Sequence, residues 1–330
     1  MEVAPGVHQL KVPIPGNSLG YLNAYLVKTS EGSLLIDTGW NTEESYSALV
    51  RQLDEAGQTV ADLRYIAITH VHPDHYGLVG RLAEQTHAHL IIHEIERSFL
   101  DSRYVHYDRL LAEMDHWLRI NGVPESGRPA MQRASLEILG LVSVAMPDMV
   151  VRGGEHLKLG EFEFEILLTP GHSPGHLCFY DAGKKLLFSG DHVLPNITPN
   201  VSLNVQAEGN PLRDYLVALD RVAHLPVDLV LPAHGEVFRD LGKRVTEIEE
   251  HHARRTREML AAFAEEPRTA FQIASAIKWS SDGKNWENLP PLHRRMAMTE
   301  TLAHLEMLFA QGGLDKTELD GMIWYSPKKV

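Results

Sequence analysis

The sequence predicts an α/β fold of strand-rich layers with interspersed helices, broken by one helical insertion and followed by a smaller C-terminal domain. Three observations predict it. Short apolar runs bounded by turn residues recur through residues 1–240, which is the pattern of buried strands. Residues 95–148 switch to helical periodicity. Residues 241–330 are helical again and close on a hairpin pattern. A length of 330 residues agrees with two domains at about 150 residues each.

The elements follow in order. Gly20–Val27 and Ser33–Gly39 are apolar runs separated by the turn-like TSEG, and read as strands. Tyr46, Leu49, Val50 and Leu53 recur at helical spacing, which predicts a helix over Thr42–Ala56. Arg64–His70 reads as a buried strand, Leu78–Thr86 as a helix and His89–Ile92 as a strand. In the insertion, Leu110, Leu111, Met114, Trp117 and Leu118 carry helical spacing, and Asn121–Ala130 is loop-like. Strand patterning resumes at Glu161–Pro170, Lys185–Asp191 and Asp228–Gly235. Helices are expected over Val245–Glu265, Ala270–Ile277 and Pro291–Ala310. Gly312–Tyr325 reads as two strands about an Asp-Gly turn.

Composition bounds the function. With 31 basic and 44 acidic residues the net charge is −13, so binding of polyanions over the whole surface is disfavoured. Cys178 is the single cysteine; it sits in a strand-like run, reads as a core residue, and suits a reducing cytoplasm. The N-terminus lacks the basic and apolar regions of a signal peptide. The most apolar stretch, Ile138–Met146, is far short of the roughly 20 residues of a membrane span. A cytoplasmic protein with no membrane partner is expected. The surplus is in histidine, 19 residues, the commonest metal ligand.

Those histidines are not scattered evenly. Thr69–Gly77, THVHPDHYG, places His70, His72, Asp74 and His75 within six residues directly after a buried strand. Three imidazoles and a carboxylate suit zinc or a similar first-row ion. His172 in TPGHSPGH, Asp191 in FSGD and His234 in PAHG each follow an apolar run, among Gly and Pro residues that turn the chain. A candidate ligand thus stands at the end of each of four strands, which is how loops converge on one edge of a sheet.

This ordered set resembles the metallo-β-lactamase fold superfamily over roughly residues 1–240. The resemblance implies an αββα sandwich with two divalent metal ions at one edge, zinc before iron or manganese. It implies His70, His72 and His172 at the first ion, Asp74, His75 and His234 at the second, and Asp191 between them. Asp37 in LLIDTG matches the family's early aspartate, which supports the ligands from behind. It further implies a metal-bridging hydroxide that attacks the substrate, with Asp74 as the catalytic carboxylate that orients it and passes a proton to the leaving group.

Other motifs are absent or weaker. His93–Arg97, HEIER, lacks the second histidine of a zinc protease, and no phosphate-binding glycine loop occurs. His192 is a candidate for substrate contact or for support of the site, and His176 for support. Tyr107 and Trp117, with Tyr104, His106, Met114 and Met146, are expected to line an apolar substrate pocket if the insertion folds over the metal edge. The alternative is packing on the body or a dimer contact. The C-terminal segment resembles a winged-helix appendage. Arg254, Arg255, Arg257, Arg294 and Arg295 are its candidate phosphate contacts, but acidic residues surround the first three and Asp315, Glu318 and Asp320 occupy the hairpin. A structural or dimerising role is favoured.

The leading expectation is a dinuclear metal-dependent hydrolase of a small or medium acyl substrate: an ester, thioester or lactone. The alternative is a single-strand endoribonuclease or phosphodiesterase with a winged-helix nucleic-acid-binding domain. A non-hydrolytic redox protein ranks last, since no flavin domain accompanies the site.

Overall fold

The computed structural model describes residues 1–206, 209–279 and 286–328. The first sheet runs β1 (Glu2–Ala4), β2 (Val7–Pro13), β3 (Tyr21–Thr29), β4 (Gly32–Ile36), β5 (Leu63–Ala67), β6 (His89–His93) and β7 (Met149–Val151), adjacent in chain order. β1 to β4 are antiparallel neighbours, whereas β4 to β7 are parallel. Parallel strands need crossovers. α1 (Glu43–Glu55) supplies the first; α2 (Pro73–Tyr76) and α3 (Val79–Ala83) supply the second. The segment between β6 and β7 carries α4 (Glu94–Leu100), a π-helical turn (Asp101–Val105), α5 (Tyr107–Ile120), α6 (Arg128–Gln132) and α7 (Leu136–Leu139).

α1 illustrates the local logic. Thr42 caps it by accepting from the backbone N–H of Ser45, and Glu43 and Glu44 oppose the positive end of the helix dipole. Its buried face is Ser45, Ala48, Leu49 and Leu53, at helical spacing. α3 is shorter than the Leu78–Thr86 pattern suggests. Gly77 and Gly80 lie against the backbone of residues 141–143, so tertiary contact decides its length.

The second sheet has the order β12 (Leu229–Pro232), β11 (Leu186–Gly190), β10 (Leu177–Asp181), β9 (Phe162–Leu168) and β8 (His156–Leu159). α8 (Pro211–Ala223) links β11 to the parallel β12. One cluster joins the two sheets: Val7, Tyr25, Ile36 and Ile91 from the first meet Phe164, Phe179 and Phe188 from the second. Another, with Leu49, Leu53, Tyr76 and Leu82, covers the outer face of the first sheet. A third, with Tyr215, Leu219, Val245 and Ile248, covers the second. These are the αββα layers. Burial on both faces explains why β10 and β11 read as continuous apolar runs.

α9 (Leu241–Ala261), α10 (Ala270–Ala276), α11 (Pro291–Ala310) and the β13–β14 hairpin (Leu314–Leu319, Met322–Pro327) follow, close to the predicted limits. They do not stand apart from the rest. A fourth cluster unites Met114, Leu118, Val123 and Met131 of the insertion with Met259, Phe263, Ile273, Leu302 and Tyr325. Met114 and Trp117, expected in a pocket over the metal edge, belong to that packing instead. The physical reason is helical spacing: residues 114, 117 and 118 share one face of α5, and the C-terminal helices bury it. Among the described residues, no helix is long and apolar enough to cross a membrane.

Candidate metal centre

Strand direction places the ligands. β9 and β11 are both antiparallel to β10, so their C-terminal ends lie at the same edge. β12 is parallel to β11 and ends there too. The backbone of Leu177 donates to the carbonyl of Thr69 at 2.8 Å, which joins the loop after β5 to the second sheet at this edge. His172, Asp191 and His234 follow β9, β11 and β12, and His70 follows β5. His72 precedes α2, with Pro73 at its first position, so Asp74 and His75 are carried on that turn.

Nε2 of His70, Nδ1 of His72 and Nε2 of His172 converge, 2.8, 3.0 and 3.2 Å apart. Asp74, His75 and His234 form a second group. Nε2 of His234 lies 3.3 Å from Oδ2 of Asp74, and Nε2 of His75 lies 3.8 Å from the same atom. Asp191 faces both groups. Its Oδ2 is 3.4 Å from Nε2 of His172 and 3.6 Å from Nε2 of His75, while Oδ1 is 3.6 Å from Nε2 of His234.

The residues fit metal ions. A single proton satisfies only one pair among three converging imidazole nitrogens, whereas a cation satisfies all three. Ligands about 2.0–2.1 Å from a tetrahedral zinc stand about 3.3 Å from one another, near the spacing seen. In the second group, Nε2 of His75, Nε2 of His234 and Oδ1 of Asp191 are buried without a hydrogen-bond partner. Buried polar atoms are ordinarily paired, so three orphans aimed at one point mark a ligand position.

The protonation states agree. Burial, then neighbouring charged groups, holds His70 and His72 well below the usual histidine range, so both present lone pairs. Burial opposes charge on Asp191, but His234 and His75 outweigh it and keep the carboxylate ionised. Burial likewise opposes a proton on His75, and Asp37, Asp74 and Asp191 together reverse that, raising it. His234 is raised against burial by Asp191 and Asp74. The carboxylates thus attract positive charge to the position where a dication would sit.

The nitrogens facing away from the cluster are held. Asp37 accepts from Nδ1 of His75 at 2.8 Å. The backbone carbonyls of Asn200 and Tyr21 accept from Nδ1 of His172 and His234, at 2.8 and 3.0 Å. Thr69 Oγ1 lies 3.1 Å from Nδ1 of His70. Such partners fix ring orientation and tautomer. His176 bonds to Thr169 Oγ1 through Nδ1 at 2.8 Å and accepts the Asp191 N–H through Nε2 at 3.1 Å, so it supports the aspartate.

Other candidates fall elsewhere. His192 is fully buried, edge-on to Tyr215 and with its ring 6.0 Å from that of His176. Tyr107 is 40% exposed at the start of α5. Cys178 is buried in β10. Arg295 donates to the carbonyls of Met131 and Gln132, Arg294 to those of Trp286 and Glu287, and Arg255 is buried.

Glu96, within the HEIER run, supports the site although its sequence context does not assign it that role. Its buried carboxylate accepts from the backbone of Val71 at 3.0 Å, from that of Gly175 at 2.9 Å, and from the Ser173 hydroxyl. It therefore ties the loop of His70 and His72 to the loop of His172. Its partners lie 25 to 79 residues away, so no local pattern announces it.

The metallo-beta-lactamase superfamily model matches residues 18–234, which includes every candidate ligand position. The chain belongs to the metallo-β-lactamase superfamily. It is similar to a probable metallo-hydrolase, YqjP, of Bacillus subtilis (strain 168), at 26% identity over 92% of each chain. It is also similar to the human acyl-coenzyme A thioesterase MBLAC2, at 28% identity over 66% of this chain and 74% of that one. A crystal structure of a metallo-beta-lactamase family protein from Thermus thermophilus superposes with a TM-score of 0.85 at 30% identity, over 99% of this chain and all of that one. A beta-lactamase domain protein from Burkholderia ambifaria gives 0.79 at 29% identity, over 99% and 94%. Both matches extend through the C-terminal helices and hairpin. The chain is accordingly a metal-dependent hydrolase of this superfamily.

Proposed function

We propose that this protein is a dinuclear metal-dependent hydrolase of acyl substrates, with thioesters first in order and esters and lactones after them. The observation that carries this reading is the placement of Asp191, whose two oxygens face the two histidine groups within 3.4–3.6 Å. His70, His72 and His172 would hold one ion, Asp74, His75 and His234 the other, and Asp191 both; zinc suits this nitrogen-rich set. Such ions, when bound, supply Lewis acidity and a hydroxide nucleophile at neutral pH.

The protein's own groups do the rest. Asp191 neutralises charge between the two groups and fixes their separation. Asp74, on the turn beside His75, has a carboxylate oxygen within reach of this centre and is the proton carrier to the leaving group. That role fails if Asp74→Asn retains both metals and full turnover. The human relative's name supports the thioester class. The buried Cys178 thiol suits a reducing cytoplasm. Nucleic acid is disfavoured because the guanidinium groups of Arg294 and Arg295 are spent on internal carbonyls.

The test is turnover by zinc-reconstituted protein of an acyl thioester, an ester, a lactone, a phosphodiester and a short single-stranded RNA, beside Asp191→Ala. Acyl turnover lost in the variant is the expected result. Cleavage of the phosphodiester or RNA alone overturns the acyl assignment.

A further inference from the structure

The Nδ1–H of His172 donates to the backbone carbonyl of Asn200 at 2.8 Å. Asn200 lies beyond β11, in an irregular segment without secondary structure of its own. What holds that carbonyl in place comes from the far end of the chain. The Asn200 side chain donates through Nδ2 to a carboxylate oxygen of Glu300 on α11 at 2.9 Å. Its Oδ1 accepts from the Ser202 hydroxyl. Thr299 donates its hydroxyl to Ser202 at 2.8 Å, and its carbonyl accepts the N–H of Leu203 at 3.1 Å. The segment is thus fastened to one turn of α11.

Three other candidate ligand histidines contrast with this. His70 is held from its own loop by Thr69, His75 by Asp37 at the end of β4, and His234 by Tyr21 at the start of β3. Each of those partners precedes residue 240, within the sandwich. For His172 the support runs through Asn200 to a helix that begins at Pro291.

We propose that Glu300, acting through Asn200, is a positioning residue for His172, so that α11 completes the first metal position. The inference rests on the metal-centre reading above and adds a residue to it. A group that accepts the ring N–H of a ligand histidine sets the ring's direction and basicity, and its loss typically costs about 10–100-fold in metal affinity; Glu300 acts one hydrogen bond further out, which puts its effect at the lower end of that range.

The experiment measures zinc affinity by chelator competition and the visible absorption of cobalt(II), both on the full chain and without substrate. The proteins are wild type, Glu300→Ala, Glu300→Gln, Asn200→Ala and the hairpin control Glu318→Ala. Melting temperature is recorded for each. Glu300→Ala is expected to weaken zinc binding at one of the two steps about 10-fold and to alter the cobalt spectrum. Glu300→Gln keeps an acceptor oxygen and is expected within about threefold of wild type, with Glu318→Ala unchanged. Unchanged affinity and spectrum in a folded Glu300→Ala overturn the relay, as does an equal loss in the alanine and glutamine variants. A melting shift alone, with affinity intact, also overturns it. If Glu300→Ala does not fold, Asn200→Ala decides: a comparable loss supports the relay and wild-type affinity overturns it. Wild-type protein that takes up neither zinc nor cobalt defeats the metal-centre reading itself, a result distinct from failure of the relay.

Discussion

The carboxylate of Asp37 lies 2.8 Å from Nδ1 of His75, with both side chains buried. Asp37 adopts a left-handed backbone conformation, φ 60°, as the chain leaves β4. Aspartate tolerates this region better than most residues. There it also accepts from the backbone and hydroxyl of Thr69, the residue before His70. One carboxylate thus aims the free nitrogen of His75 into the second ligand group and pins the loop carrying the first.

Asp37→Asn is expected to weaken metal binding, chiefly at the position His75 serves, by about 10–100-fold. The neutral amide no longer favours the His75 tautomer with hydrogen on Nδ1. Isothermal titration with zinc, with circular dichroism to confirm folding, checks it. Unchanged affinity would refute the orienting role.

Glu96→Ala removes three accepted hydrogen bonds at once and leaves the N–H groups of Val71 and Gly175 buried without partners. Each orphaned donor costs about 1–3 kcal/mol. A stability loss of at least about 2 kcal/mol is expected in urea unfolding of the metal-free protein. Metal-loaded protein should recover part of that loss, because ligands that bind only the native state stabilise it.

Gly171 precedes His172 with φ +136°, and a Cβ there would sit 2.3 Å from Cβ of Tyr215. Gly171→Ala must therefore shift the His172 loop or Tyr215. Destabilisation of about 1–3 kcal/mol is expected from the overpacking, with weaker metal uptake. Thermal unfolding and metal content measured together distinguish this from a harmless surface change.

Acid should destabilise the protein through a histidine outside the metal centre. His252 on α9 is buried against Tyr215 and beside His304, and burial, then the charges of His251 and Arg255, pushes it down to about 3. The unfolded chain takes up this proton near pH 6.5 and the folded one does not. Its contribution is therefore complete above pH 6.5 and is lost as pH falls towards 3, by up to about 1.4 kcal/mol per pH unit. His252→Gln should flatten stability between pH 7 and 5 relative to wild type. Identical pH slopes would refute the assignment.

Much of the site was legible because its information is local. Each ligand stands directly after an apolar run that buries itself as a strand, and Gly or Pro residues mark the turn beside it. Burial of the sandwich then brings those strand ends to one edge. The helix over Glu43–Glu55 was legible for the same reason, through the spacing of Tyr46, Leu49, Val50 and Leu53. The signal for α8 is equally local and went unread: Asn210 caps it, Pro211 opens it, and Leu212, Tyr215, Leu219 and Val222 recur at helical spacing.

What the sequence determined by itself is the set of strands that end in candidate ligands and the order of those ligands, each written within a few residues of its strand. The tertiary structure alone decided that α5 turns Met114 and Trp117 towards the C-terminal helices, that Glu96 binds two ligand loops together, and that α11 reaches His172 through Asn200. These are contacts between residues tens to hundreds of positions apart. Hydrogen bonds and packing of that kind depend on where the chain returns in space, and leave no periodicity or motif along it.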